Sequence, residues 1–301
     1  MAIDIRDLMA KVGKIRILTD RLMDDQLAGD YHSSFKGQGV EFDEVRPYAV
    51  GDDVRSIDWN VTARTGVPYI KRYSEERELT VLFLVDVSGS QSYGSRRRTK
   101  ADLSAEVSAL LALTAIRNQD KVGLVLFSDR IVKYIPPRRG RNPVMRLARE
   151  VLAASDGAEG GTDLAEALRF LNGVQKRRAV VFVVSDFLNV VRAGDDGEIR
   201  RLLQTAARRH DVICVPVSDP AESELPKAGL VELEDPESGE LLLVDTSCEA
   251  VRKAFAEQAA AEREALERFF VRSRIETVPL ATDRPYVDAI RALFRRRARK
   301  R

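Results

Sequence analysis

From residue 79 onward, short apolar runs alternate with stretches of helical periodicity. Leu79–Val85, Val122–Phe127, Val180–Val184 and Val212–Val217 are nearly continuous apolar segments of strand length, the pattern of strands buried on both faces. A shorter strand is predicted over Ile131–Ile135, stopped by Pro136-Pro137. Between them, Thr99–Asn118, Asn142–Ala154, Thr162–Asn172 and Glu198–Arg209 read as helices. Thr99 followed by Asp102 has capping-box spacing. The Gly157…Gly160-Gly161 loop separates the second and third helices. The alternation predicts a doubly wound α/β sheet with helices on both faces.

The texture changes on either side of this block. Leu230–Leu233 and Leu241–Val244 flank Asp235-Pro236-Glu237-Ser238-Gly239 and predict a β-hairpin. Glu249–Arg272 is a long helical stretch with apolar positions at Val251, Phe255, Ala259, Leu266 and Phe270. Ile275–Leu280 supplies a last strand, and Tyr286–Phe294 a terminal helix with the stripe Tyr286, Ile290, Leu293 and Phe294. At the other end a helix is predicted over Ile5–Leu22. Beyond it Gly29, Gly37, Gly39 and Gly51 break the chain into short extended pieces. The expected division is an N-terminal accessory segment, 1–78, and an α/β domain with a C-terminal hairpin and helical extension, 79–301.

Composition narrows the classes. The 301 residues carry a net charge of +2, with seven basic side chains and no acid in the last eleven residues. Three readings suit that basic end: cations favourable at a helix C-terminus, a contact with anionic membrane or nucleic acid, or a docking segment for an acidic protein. The first is favoured. Two cysteines are too few for a disulfide framework, and two histidines exclude a histidine-rich metal site. The start, Met1 to Asp7, has no apolar signal region, and no apolar run approaches membrane-spanning length. The expectation is a cytoplasmic chain. A phosphate-binding G-x-x-x-x-G-K-[ST] loop is missing, so any ATP consumption belongs to a partner.

The chemistry-bearing residues sit where the predicted strands end. Leu79–Val85 runs into Asp86-Val87-Ser88-Gly89-Ser90, which places one carboxylate and two hydroxyls at a strand's carboxyl end, where open α/β sheets keep their ligands. Gly160-Gly161-Thr162-Asp163 adds a hydroxyl at a helix start, and Val180–Val184 ends in Ser185-Asp186. An all-oxygen set with two charges suits a hard cation, Mg2+ first, with Mn2+ or Ca2+ as alternatives. Asp163 reads as first-turn helix stabilisation.

The order Asp86-x-Ser88-x-Ser90, Thr162, Asp186 resembles the metal-ion-dependent adhesion site of von Willebrand factor A domains, over roughly residues 79–217. The resemblance implies a von Willebrand A, Rossmann-like fold and a site that is not catalytic. In that family the cation is completed by an acidic side chain of a partner. The segments Phe35–Tyr48 and Gly51–Arg64, followed by Glu75-Glu76-Arg77-Glu78, are similar to the signature of the family called domain of unknown function 58. Asn60 stands where Lys is usual and Gln91 where Met often follows the second Ser. Long members of that family carry N-terminal membrane helices, and this chain looks like the short soluble form. The resemblance implies a MoxR-type AAA+ ATPase as partner and a non-enzymatic adaptor or co-chaperone function.

The remaining motifs have plainer readings. Gly51-Asp52-Asp53…Arg55…Asp58-Trp59 is a tight turn with local ion pairs, with Trp59 anchoring the segment to the core. Cys214 is a small buried side chain, and His210 sits as a cation after a helix end. Arg96-Arg97-Arg98, Lys100 and Arg138-Arg139-Arg141 are read as a positive rim steering an acidic partner. Two alternatives stand beside the adaptor: a metal-dependent phosphoester hydrolase using Asp86 and Asp186, and a binder of anionic membrane or nucleic acid through the basic end.

Overall fold

The computed structural model describes residues 5–23, 25–35, 41–74, 78–96, 98–140, 142–156, 160–192, 197–234 and 241–299. The hairpin turn Asp235–Gly239, Gly157, Arg97, Arg141, Lys36–Gly39, Glu75–Arg77 and the last two basic residues lie outside the described residues.

The chain opens with helices α1 (Ile5–Leu22) and α2 (Asp25–Ser34). Next come strand β1 (Glu41–Pro47), helix α3 (Trp59–Thr65) and strand β2 (Tyr69–Ser74). The alternating block follows as β3 (Thr80–Asp86), α4 (Lys100–Arg117), β4 (Lys121–Phe127), β5 (Ile131–Arg138), α5 (Asn142–Ser155) and α6 (Leu164–Val174). It continues through β6 (Val180–Ser185), α7 (Leu188–Arg192), α8 (Gly197–Arg209) and β7 (Asp211–Ser218). The last elements are β8 (Leu230–Glu234), β9 (Leu241–Asp245), α9 (Glu249–Ser273), β10 (Glu276–Thr277), β11 (Leu280–Ala281) and α10 (Val287–Arg299).

The main sheet has the order β10-β7-β6-β3-β4-β5, with β11 also on β7. Only β5 runs antiparallel, along β4, and the remaining pairs are parallel. Strands β3, β4 and β6 are buried through nearly their whole length because helices cover both faces. On one face α4 packs on β3 and β4 and is itself covered by α5, α1 and α2. That explains why α4 is apolar almost all round, with fourteen of its residues buried. The other face buries Leu164, Leu168 and Leu171 of α6, Leu203 of α8, and Phe269 and Phe270 of α9. This is the doubly wound arrangement, with helices on both faces, expected from the alternation.

Several boundaries differ from expectation, each for a physical reason. β5 runs through Pro136-Pro137 to Arg138, because an edge strand tolerates residues without an N–H. The Ile275–Leu280 strand is split into β10 and β11, joined by the Val278 N–H to the Cys214 carbonyl. Pro279, lacking an N–H, separates the two pairings. The helix after Gly160-Gly161 starts at Leu164, and Asp163 is its N-cap, accepting from the Glu166 N–H. In α9, Phe269 and Phe270 are buried, while Val251, Phe255, Ala259 and Leu266 are only half-buried.

The chain divides into two units, Phe35–Leu79 and the remainder, so the part of the expected 1–78 segment that precedes Phe35 groups with the α/β domain. Residues 5–34 belong with the main unit. Lys11 pairs with Asp102, the Tyr31 hydroxyl donates to Asp120 at 2.8 Å, and Ser34 donates to the Phe294 carbonyl at 2.6 Å. Helix α2 forms across Gly29, where a break was expected, because Leu27 and Tyr31 are fully buried.

The smaller unit is an antiparallel pair, β1 with β2, carrying α3 between them. Asp52 forms a two-pronged ion pair with Arg46, Asp53 accepts from the Arg55 N–H, and Asp58 caps α3. Trp59, expected as a core anchor, is instead 69% exposed. It occupies the first position of α3, next to the cap, where its side chain is directed outward.

Candidate functional site

Three segments converge at the carboxyl edge of the main sheet. After β3, the Asp86 carboxylate accepts from the Ser88 N–H at 3.0 Å, which curls the chain into the helical turn Gly89–Ser92. The Gly89 N–H reaches the Gly160 carbonyl at 3.3 Å, bringing the second loop alongside. That loop is held from below by the Asp163 N–H on the Ser128 carbonyl at 2.7 Å, so Thr162 faces the first loop. Its hydroxyl lies 3.3 Å from Asp86 Oδ2. The third segment is the end of β6. Ser185 donates to Asp86 Oδ2 at 2.6 Å, and the Ser90 hydroxyl donates to Asp186 Oδ2 at 2.8 Å. Ser88 Oγ and Ser90 Oγ are 3.2 Å apart. Phe187, immediately after Asp186, adopts a left-handed backbone (φ 58°) that a buried aromatic rarely takes. Its ring is locked edge-on against Phe270, 5.1 Å between centroids.

Asp86, Ser88, Ser90, Thr162 and Asp186 are therefore gathered into one cluster. Four further participants were not among the site residues expected from the sequence. Ser185 holds Asp86, and Gln91 donates to Asp186 at 3.2 Å. Lys100 is fully buried, with its ammonium 2.8 Å from Asp186 Oδ2 and 2.5 Å from Glu222 Oε1. Glu222 uses its other oxygen to accept from the Asp219 N–H at 2.8 Å. Lys100 is thus an internal counter-ion, contrary to its reading as part of an exposed rim. Arg98 is also committed, to Glu106 and to the carbonyls of Ala281, Thr282 and Arg284.

The two carboxylates differ electrically. Burial, and then the neighbouring Asp186, raise Asp86 to about 7, against the pull of its neutral hydrogen-bond partners, the Ser88 N–H and the surrounding hydroxyls. For Asp186 burial works in the same direction, but Lys100, Ser90 and the Leu188 N–H outweigh it and keep the carboxyl below its usual range. Asp186 and Glu222 share the Lys100 ammonium, while Asp86 pairs with no cation among the described residues. A hard divalent cation suits this set: it would neutralise the excess charge and relieve the destabilised Asp86 anion. Asp86 and the hydroxyls of Ser88, Ser90 and Thr162 are the donors nearest to hand. Asp186 Oδ2 already accepts from Ser90, Gln91 and Lys100, so its contribution would pass through Ser90 or a water. Among the described residues no group of three or more His, Cys, Asp or Glu side chains forms a metal-holding cluster, so such a cation would rest mainly on hydroxyls and water.

The profile of the family described as "Protein of unknown function DUF58" matches residues 44–265. The chain belongs to the DUF58 family. This DUF58 protein is 32% identical over 300 residues to the uncharacterized protein Rv1480 of Mycobacterium tuberculosis, covering 98% of this chain and 92% of the relative. The same figures hold for the uncharacterized protein Mb1516 of Mycobacterium bovis. Among solved structures, the conserved hypothetical protein BatB from Bacteroides thetaiotaomicron aligns over 73% of this chain and 99% of its own (TM-score 0.48, 16% identity). The SpRpn10 VWA domain aligns over 71% of this chain and 94% of its own (TM-score 0.34, 12% identity). Among the described residues of this DUF58 protein, no helix is long and apolar enough to cross a membrane.

Two other expectations are settled by the geometry. Cys214 is buried in β7, and burial pushes its thiol up, as expected of a small core side chain. His210 is not the expected helix-end cation. It is buried, and burial, followed by Arg209 and Arg178, lowers its pKa.

Proposed function

We propose that this DUF58 protein is a non-enzymatic, Mg2+-dependent protein-binding adaptor, with a carboxylate of its partner completing the cation at Asp86. The observation that carries the reading is a buried carboxylate surrounded by hydroxyls, with no cationic partner among the described residues, at the carboxyl edge of a doubly wound sheet. In this reading Asp86, Ser88, Ser90 and Thr162 hold the cation, and Asp186 holds Ser90 in place while Lys100 keeps Asp186 ionised. A bound Mg2+ supplies a local positive charge that an acidic side chain recognises. The partner proposed is a MoxR-type AAA+ ATPase, which would supply the ATP turnover for which this chain has no phosphate-binding loop. A binding function is favoured over hydrolysis by the surroundings of Asp86, where the neighbouring groups are hydroxyls engaged in hydrogen bonds. His210 lies at the opposite edge of the sheet.

The test is a pull-down of the AAA+ partner in Mg2+ and in EDTA, with wild type and Asp86→Asn. Asn keeps the shape but removes the charge. Wild type is expected to retain its partner only in Mg2+, and the variant to lose that difference while keeping its circular dichroism spectrum. Equal capture by the wild type in EDTA would refute the cation-dependent reading.

A further inference from the structure

The strands that carry the cluster have another end. β6 and β7 begin at the opposite edge of the sheet, about 20 Å away by the rise of a six-residue strand. A groove of about 740 Å3 opens there between the starts of β7 and β10 and the C-terminal halves of α8 and α10. Its wall carries four guanidinium groups, Arg178, Arg274, Arg296 and Arg297. The groove's acids are already engaged: Glu276 with Arg296 at 3.0 Å and with Arg297 at 2.8 Å, and Asp211 with Arg297. Arg178 and Arg274 have no side-chain partner among the described residues. Arg274 also takes a left-handed backbone (φ 56°) at the end of α9, a place where Gly is usual.

The second observation lies in the wall of the same groove. His210 is only 2% exposed, and both ring nitrogens lack a hydrogen-bond partner. A buried imidazole always has at least one N–H to donate, and leaving it unsatisfied is costly. His210 lines the groove, so an oxygen anion held there would offer its buried N–H and the two unpaired guanidiniums a common acceptor. We infer that this groove binds the phosphoryl group of a small soluble phosphate ester or polyphosphate, held by Arg178, Arg274 and the His210 ring. A phosphoryl group fits better than a carboxylate for two reasons. Its charge approaches that of two guanidiniums, and its tetrahedral oxygens allow three donors to approach from different directions. Burial, and then Arg209 and Arg178, disfavour the imidazolium, so the ring's part is that of a hydrogen-bond donor. The site is independent of the proposed cation cluster.

The chain has two histidines, so the imidazole resonances of His210 can be assigned with one His210→Gln variant. Titration with inorganic pyrophosphate at constant ionic strength is expected to shift those resonances saturably. Arg178→Ala/Arg274→Ala should weaken the apparent affinity about tenfold or more. Both arginines are exposed, so the double variant is expected to fold. Absence of a saturable shift in the wild type, or an unchanged titration in the double variant, overturns the proposal. Parallel arms use phosphatidylglycerol vesicles and a single-stranded oligonucleotide. Binding to either without a pyrophosphate response would make this face a polyanion surface and also overturn the discrete site.

Discussion

A lysine buried at the first position of a helix defies two electrostatic preferences, since burial and the positive helix N-terminus both oppose an ammonium. Lys100 overcomes them through Asp186 and Glu222, which hold its pKa up although burial works against them. Replacing it with Met would leave two carboxylates without their counter-ion in a cluster that already has an excess of negative charge. The expected cost is about 3–5 kcal/mol in EDTA, read from the urea midpoint. Mg2+ should restore more stability to Lys100→Met than to the wild type, because the variant's cluster is more negative and gains more from a cation. An equal Mg2+ response in both would reduce Lys100 to a structural ion pair. The five oxygen-bearing residues were legible because each ends a strand or opens a helix. Lys100 was not, because its partners lie 86 and 122 positions away, and a run of basic residues around it looks like surface.

At the scale of elements, the cluster depends on how the loop after β7 is tied down. Asp219 accepts from the Ser95 N–H and hydroxyl, the Thr282 hydroxyl and the Ala221 N–H. Although burial pulls the other way, these donors hold the Asp219 carboxyl below its usual range. The same loop presents Glu222 to Lys100, so Asp219 fixes one end of the network that positions Asp186. A carboxyl whose folded pKa lies below its unfolded value stabilises the fold above the unfolded pKa, and that contribution is lost as acid protonates it. Asp219→Asn should therefore cost roughly 1–3 kcal/mol at pH 7, and the gap to wild type should close on acidification below about pH 4. Urea unfolding at pH 7 and pH 3 measures both ends of this window. A gap of the same size at both pH values would mean that the loss is one of shape rather than of charge. Element prediction succeeded where periodicity and burial coincide, as in β3, β6 and the Thr99 capping box, which forms as expected. It failed at α2, which forms across Gly29 with Leu27 and Tyr31 buried, and it ended β5 three residues early, at prolines that an edge strand tolerates.

Within the main unit the two ends of the chain meet, and this changes the meaning of the charge distribution. The basic end reads in isolation as a free polycationic segment, but α10 continues through Arg299 and returns its arginines to the body. Arg295 pairs with Asp30 of α2, Arg296 with Glu276, and Arg297 with both Glu276 and Asp211. The Phe294 ring meets Tyr31 edge-on at 5.6 Å, so α2 and α10 also share apolar contact. Charge counting along the sequence could not show this, because the acids that neutralise the arginines come from three separate elements. If the C-terminal helix is a clasp, its cost is concentrated in Arg297, which is 9% exposed, and not in the exposed Arg299. Arg297→Met should strand Asp211 and leave Glu276 with Arg296 alone, lowering stability by about 3–5 kcal/mol, whereas Arg299→Ser should stay within about 0.5 kcal/mol of wild type. Adding Asp211→Asn and Glu276→Gln to Arg297→Met removes the carboxylate charges, and most of the loss should return although no ion pair is restored. Urea denaturation of the four chains decides the matter, with similar m-values expected because the same surface is exposed on unfolding. Should Arg297→Met cost no more than Arg299→Ser, the basic end would be a solvated surface after all, and its contribution would have to be sought in binding.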